Sequence, residues 1–314
     1  MKKVVFGILF IVSPFLCMAQ ESRTEYNFLR LPVSAHAAAL GGDNITLIAD
    51  DASLLFNNPA LLGSVSDKTL NLNYMNYMSG VQFGSAAYVR TTGKQGTVAA
   101  TVQYINYGKM AETDENNIKT GEFSAKDIVL GGTFSYELSE RMIGGITAKF
   151  ITSYIGDYNS LAVGVDLGIN YYDPDRQWSL SAVAKNLGGQ LKAYNETYEK
   201  MPFDLQIGVS KRVIGTPFRL SAAFVDLHQW NGKGIDHLVA GVDAILSDHV
   251  YIAAGYNFRR SHEMKTGKEE EKSSHGAGFS LGTGLQLDRF KLHLAYGKYH
   301  ISSSSLILNL AYTF

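Results

Sequence analysis

Residues 69–314 alternate apolar with small or polar side chains at a period of two, in runs of about ten broken by turn-forming residues. Leu161, Val163, Val165, Leu167, Ile169 and Tyr171 alternate with Ala162, Gly164, Asp166, Gly168, Asn170 and Tyr172, and Leu306, Leu308, Leu310, Tyr312 and Phe314 repeat the pattern at the C-terminus. Strands of this kind have one greasy face and one small or polar face. Beyond Gln20 no stretch nears the roughly 18 consecutive apolar residues that a membrane helix needs, which excludes a helical membrane protein. The alternation predicts an all-β fold: a transmembrane barrel of about fourteen antiparallel strands.

The expected strands are 69–77, 81–90, 97–107, 127–138, 142–154, 159–172, 177–186, 203–213, 218–228, 237–246, 250–258, 276–287, 290–299 and 305–314. Their connections provide an independent check, because membrane barrels have short turns at one end and longer loops at the other. Every second connection is tight: 91–95, 139–141, 173–176, 214–217, 247–249 and 288–289. The long ones, 108–126, 187–202 and 259–275, all fall in the other set. Both chain ends are then expected in the periplasm of a diderm bacterium, with the barrel in its outer membrane. A soluble β-sandwich also alternates. It does not explain tyrosines gathered near strand ends (Tyr74, Tyr77, Tyr104, Tyr107, Tyr154, Tyr296), as an interfacial girdle requires, or an opposite face of Gly and Ala beside charges.

Lys2 and Lys3, an apolar run over 4–16 and small residues at Cys17 and Ala19 form a cleavable secretory signal, with cutting expected after Ala19. Leu16 and Pro14 argue against a lipoprotein signal ending at Cys17. The only cysteine of the chain then leaves with the signal, and a net charge of -1 shows no excess that would attract nucleic acid.

The domain expectation is a signal at 1–19, an N-terminal plug at 20–66 and the barrel at 67–314. About eight strands enclose a space that side chains can fill, so fourteen leave a lumen that something else must occupy. Residues 20–66 are too few for a core of their own. Asp50 or Asp51 can cap a short turn through Leu55, Asn58 can cap a second with Pro59 at its first position, and Gly41-Gly42 permits a tight turn. The rival expectation is an amphipathic periplasmic tail. Gly131-Gly132 and Gly144-Gly145 mark either strand kinks or a close approach of the plug.

Folded about tight hairpins, Lys149, Asp166 and Lys185 fall opposite one another on three adjacent inward faces, a charge ladder that sets register and holds the plug or contacts a ligand. Gly278-Phe279-Ser280-Leu281-Gly282 matches the nucleophile-elbow pattern but lies within an alternating strand rather than a strand-to-helix turn, so no enzyme is expected. The histidines show no metal-ligand spacing, and no cofactor is implied.

The stretch FLRLPVSAHAAALGGDNITLIADDASLLFNNPALL, with its Ala-rich Leu-Gly-Gly, Asp-Asp-Ala-Ser and Asn-Pro-Ala, resembles the N-terminal hatch of the fatty-acid-transporter-like (FadL-like) outer-membrane proteins. Together with NYGKM, TGEFSAKDIVLGG, AVAKNLGGQLKAY and MPFDLQIGVSKRV, it is most similar to the PorQ family of the type IX secretion system within that superfamily. Val33-Ser34-Ala35-His36 stands where those relatives often carry a Gly-Ala-Arg run. The resemblance implies a non-enzymatic barrel that anchors a PorZ-like surface protein and, indirectly, PorU- and PorV-like components of the cargo-attachment complex. The wider superfamily implies the alternative, a channel for small hydrophobic compounds. For an anchor, the candidate partner-binding residues in the long loops are Phe123, Leu191, Tyr194 and Tyr198, beside Tyr107, because aromatic and apolar side chains centre protein interfaces.

Overall fold

The computed structural model describes residues 26–78, 80–230, 233–264, 276–299 and 303–314. The expected signal sequence and the acidic run Glu269–Glu271 lie outside the described residues. The strands are β1 (Thr69–Asn76), β2 (Gln82–Thr92), β3 (Gly96–Thr113), β4 (Lys119–Ser139), β5 (Met142–Ile155), β6 (Tyr158–Asp173), β7 (Trp178–Lys192), β8 (Asp204–Arg212), β9 (Phe218–Phe224), β10 (Leu238–Ile245), β11 (Val250–Asn257), β12 (Phe279–Gln286), β13 (Phe290–Gly297) and β14 (Ser305–Thr313). Each pairs antiparallel with its sequence neighbours, and β1 pairs with β14 to close the barrel. Closure leaves no sheet edge with unpaired backbone groups, which the interior of a bilayer requires.

The period-two pattern is turned inside out relative to a soluble protein. Leu72, Leu130, Phe150, Leu167, Ile252, Leu281 and Leu308 are exposed on the outer wall, whereas Asn71, Thr101, Asp127, Thr147, Lys149, Asp166, Asn170, Asp243, His293 and Asn309 are buried on the inner one. A wall that shows apolar side chains outward and polar ones inward is stable only with hydrocarbon around it. No helix among the described residues is long and apolar enough to cross a membrane.

Two strands are longer than the alternation suggests. Residues 108–126 were expected as a loop, but β3 and β4 continue through them as a hairpin that projects past the other strands, closed by Asp114 Oδ1 accepting from the amides of Asn116 (2.8 Å) and Ile118 (2.9 Å). The register shifts between Asn106 and Lys109, where Gly108 has φ 76°. A bulge of this kind inserts an extra residue and shifts the side-chain alternation, which is why the pattern fades there. Phe123 accordingly lies on β4 opposite Met110, and Leu191 lies on β7; neither is a loop residue. The start of the expected loop 259–275 is likewise ordered, as helix α2 (Phe258–Glu263) capped by Asn257.

Residues 26–66 lie inside the barrel. They form a 3-10 turn (Asn27–Arg30), helix α1 (Ala35–Ala39) and two further 3-10 turns (Ala52–Phe56 and Pro59–Ser64). Helix α1 packs on β11, β12, β13 and β14, the turn Ala52–Phe56 on β1 and β2, and the turn Pro59–Ser64 on β3, β4, β5 and β6. The segment therefore spans the lumen from wall to wall. Its Phe28, Leu40, Leu47, Leu54 and Leu61 join one apolar cluster with Met75, Phe83, Ile105 and Ile151 of the strands.

Candidate functional site: the lumen segment and the rim pocket

Short polar side chains shape the lumen segment. Ser34 caps α1, its Oγ accepting from Ala37 N at 3.2 Å. Asp51 caps the next turn through Ser53 N (2.9 Å), and Asn58 caps the last through Ala60 N (2.9 Å) with Pro59 at its first position. Asp50 caps no turn; it accepts from Ser66 N at 2.8 Å and pairs with Lys291 of β13. Burial alone would raise the Asp50 carboxyl, but the hydrogen bonds from Lys291 and Ser66 outweigh it and hold the group below the ordinary carboxylate value. Gly41 and Gly42 have φ 103° and 105°, and Gly42 N returns to Ala37 O at 2.9 Å to close the helix end.

The wall is relieved where this backbone meets it. A Cβ on Gly145 would lie 2.4 Å from Ala60 N, and one on Gly255 would lie 2.2 Å from Leu40 C. Gly145 thus marks close approach of the segment. Gly131 instead makes room for Thr101 of the neighbouring strand, whose Oγ1 would lie 2.4 Å from an added Cβ. Ser280, the central residue of the elbow-like pattern, donates to Ala39 O at 2.9 Å and accepts from Gly41 N at 3.1 Å. Its hydroxyl is a fastening for the segment.

Charges fasten it further, chiefly through residues that sequence reasoning did not single out. His36 Nε2 donates to Asp243 Oδ1 of β10 at 2.7 Å, and Arg219 of β9 reaches the other oxygen at 2.8 Å. The His36 ring stacks on Tyr251 at 3.7 Å, and the Tyr251 hydroxyl is hydrogen-bonded to His293 Nδ1 at 2.7 Å. His36 thus ties α1 to the wall through a hydrogen bond to Asp243 and a ring stack on Tyr251. Arg30 (3.3 Å) and Arg259 both pair with Asp226. Asp204, Asp226 and His228 bring possible ligand atoms within 4.8 Å of one another, but these two guanidinium groups already answer the Asp226 carboxylate. The inward parity of Asp243, Lys291 and His293 was readable from the alternation; their partners in the segment were not.

Of the expected charge ladder, Lys149 and Asp166 meet, with Nζ 2.8 Å from Oδ2, although Lys149 stands opposite Gly164 and the pair is diagonal. A bulge at Asp166 turns Asn186 inward with φ 59°; its amide donates to Asp166 Oδ1 at 2.7 Å and its side-chain oxygen accepts from Lys149 at 2.6 Å. This takes Lys185 out of direct register with Asp166. Lys185 stands opposite Asp204 of β8 instead, and it lines a small cavity together with Lys149 and Asp166 as well as a second, larger one.

At the long-loop end, a pocket of about 440 Å³ lies between the turn Asn27–Arg30 and β3, β4 and β5, with Tyr26, Phe28, Tyr107, Met110, Phe123 and Tyr194 among its walls. Hydroxyls are tied off beneath it: Tyr107 donates to Asp127 Oδ2 at 2.7 Å, and Tyr194, Ser153 and Asp127 form a hydrogen-bonded chain. The rings are left to present apolar faces. The pocket adjoins the bulge in β3. Phe123 and Tyr194 thus meet in one pocket, whereas Leu191 and Tyr198 are exposed on the outside, at 59% and 64%.

A closed fourteen-stranded barrel with its own N-terminal segment inside it and an aromatic pocket at the rim defines the class: the FadL-like transmembrane fold. The chain is similar to a FadL homologue of Pseudomonas aeruginosa (12% identity, 91% of this chain and 99% of that one, TM-score 0.58). It is also similar to the Pseudomonas putida toluene transporter TodX (13%, 90% and 97%, TM-score 0.55) and to the monoaromatic hydrocarbon channel CymD (12%, 91% and 98%, TM-score 0.60). At these identities the likeness is one of fold. No family model and no curated protein sequence matches the chain.

Proposed function

We propose that the protein is a FadL-like outer-membrane channel that admits small hydrophobic molecules, with the rim pocket as their first binding site and the lumen segment as the gate. The observation that carries this reading is the pocket itself: aromatic walls with their hydroxyls tied off, beside a bulged stretch of β3 where the wall is least regular. The solved neighbours named for toluene and monoaromatic hydrocarbons support the same substrate class. The fastenings of the lumen segment imply that passage requires its displacement. Replacing Phe123 and Tyr194 together by Ala removes two walls, and uptake of toluene by cells carrying the barrel is expected to fall about tenfold, the loss that roughly 1.4 kcal/mol of aromatic contact produces. Uptake unchanged by this variant and by deletion of the gene would refute the channel.

A second reading, an anchor for a PorZ-like surface protein of type IX secretion, draws on the PorQ-family resemblance and on one structural feature. The projecting β3–β4 hairpin and the β5–β6 turn enclose an outward groove of about 790 Å³ with Phe123, Ile155 and Tyr158 on its walls, and Tyr158 is 63% exposed. On this reading the same Phe123 and Tyr194 variant releases a surface protein that co-purifies with the native barrel while toluene uptake is untouched. The one variant thus separates the two functions.

A further inference from the structure

On the other side of the turn Asn27–Arg30 from the aromatic pocket lies a vestibule of about 240 Å³, bounded by that turn, β7, the end of β11, α2 and the residues after β13. Four cations (Arg30, Lys185, Arg259, Arg260) and four carboxylates (Asp43, Asp204, Asp226, Glu263) line it. They are not evenly matched. Arg30 and Arg259 share Asp226, and Arg259 also takes Glu263 at 2.5 Å. Asp204 is engaged by Asp226 N (2.7 Å) and Gln206 Nε2 (2.6 Å).

Two cations remain without a carboxylate among the described residues. Lys185 makes no hydrogen bond or ion pair there. Arg260 gives one nitrogen to Gly41 O at 3.1 Å and lays its guanidinium on the Tyr299 ring at 4.1 Å, leaving Nη1 buried and unbonded. The Tyr299 hydroxyl, on a residue 6% exposed, is also buried without a hydrogen-bond partner, as is Arg30 Nε. Buried donors are costly to leave unpaired, so several around one cavity call for an acceptor. Asp43, the one carboxylate near both free cations, does not reach either as an ion pair; it accepts from Asn257 at 3.3 Å. Burial raises its carboxyl against the pull of Lys185 and Arg260.

We propose that this vestibule binds a compact organic monoanion, a small carboxylate held by Lys185, Arg260 and Tyr299. Inorganic anions such as sulfate fit it less well, because Leu29, Leu31, Pro32 and Val225 also line the vestibule and offer an organic group an apolar face. The site lies apart from the aromatic pocket and does not depend on the channel reading.

The test is calorimetric titration of the full mature barrel in detergent with sodium benzoate, with benzyl alcohol as the neutral ligand of similar shape and sodium sulfate as the dianion. Benzoate is expected to bind at one site per chain, with benzyl alcohol and sulfate each at least about tenfold weaker. Lys185→Gln should weaken benzoate by about tenfold to a hundredfold, the loss of one charge-assisted hydrogen bond. Tyr299→Phe, which removes one oxygen and leaves the packing, should weaken it several-fold, with both variants retaining heat-modifiable gel mobility. Absence of benzoate binding, equal binding of benzyl alcohol, tighter binding of sulfate, or native affinity in both variants would overturn the assignment.

Discussion

Deletion of residues 21–66 is expected to convert a closed barrel into an open pore. The strands hold one another through a complete ladder that does not involve the segment, so the barrel should still insert. What disappears is the occupant of a lumen that fourteen strands cannot fill with side chains. The wall residues that clasp it, Asp243 with Arg219 and Lys291 on β13, are polar and would be hydrated by entering water. Planar-bilayer conductance should therefore rise more than about tenfold above the intact protein, in discrete steps. The temperature at which the barrel loses its fast unheated gel mobility should fall, because the apolar cluster around Phe28, Leu40, Leu54 and Leu61 is lost with the segment. An unchanged conductance would place these residues outside the lumen.

A single added side chain should produce much of the same effect. Gly255 of β11 faces the end of α1 so closely that a Cβ there would sit 2.2 Å from Leu40 C and 2.3 Å from Gly41 N. Both clashes are with backbone, which has no rotamer to yield. Helix α1 is also pinned to this same patch of wall by His36 on Asp243 and by Ser280 on Ala39 and Gly41, so it cannot step away without breaking those bonds. Gly255→Leu is expected to cost more than the ~1–3 kcal/mol typical of an overpacked side chain and to open the lumen intermittently. The readouts are flickering conductance and protease sensitivity of the N-terminal segment. Gly132→Ala is the control, since a Cβ there meets nothing within 4 Å. Its effect should stay within about 0.5 kcal/mol.

Much of the barrel was legible in the sequence, because each residue of a lipid-facing strand reports its own side by its own polarity. The fourteen segments and the two classes of connection follow from that alone, and β5, expected over 142–154, occupies Met142–Ile155. The alternation fails where the backbone departs from it. The bulge at Gly108 hid the β3–β4 extension, and the bulge at Asp166, with Asn186 turned in at positive φ, moved Lys185 out of its predicted row. Inside the lumen, capping residues were readable because Asp51 and Asn58 act on amides two residues ahead. The fastenings were not. His36 and Asp243 are separated by 207 positions, and only the closure of the whole barrel brings them together. The rim pocket was half visible: Phe123 and Tyr194 could be selected as aromatic residues, but their convergence depends on the strand extension that the bulge concealed.

The central claim, that residues 26–66 are seated against the inner wall of a membrane barrel, is tested most directly by a disulfide. A Cβ on Gly241 of β10 would lie 3.0 Å from the Leu40 Cβ, so a Leu40→Cys, Gly241→Cys protein needs the two to separate by only about half an ångström to reach bridge geometry. The chain's one native cysteine, Cys17, belongs to the expected signal and would not compete. Isolated from outer membranes and probed with a maleimide after denaturation, with and without reductant, the double variant is predicted to be quantitatively bridged while keeping heat-modifiable mobility. Two free thiols that react in intact membranes with a maleimide unable to cross them would contradict it.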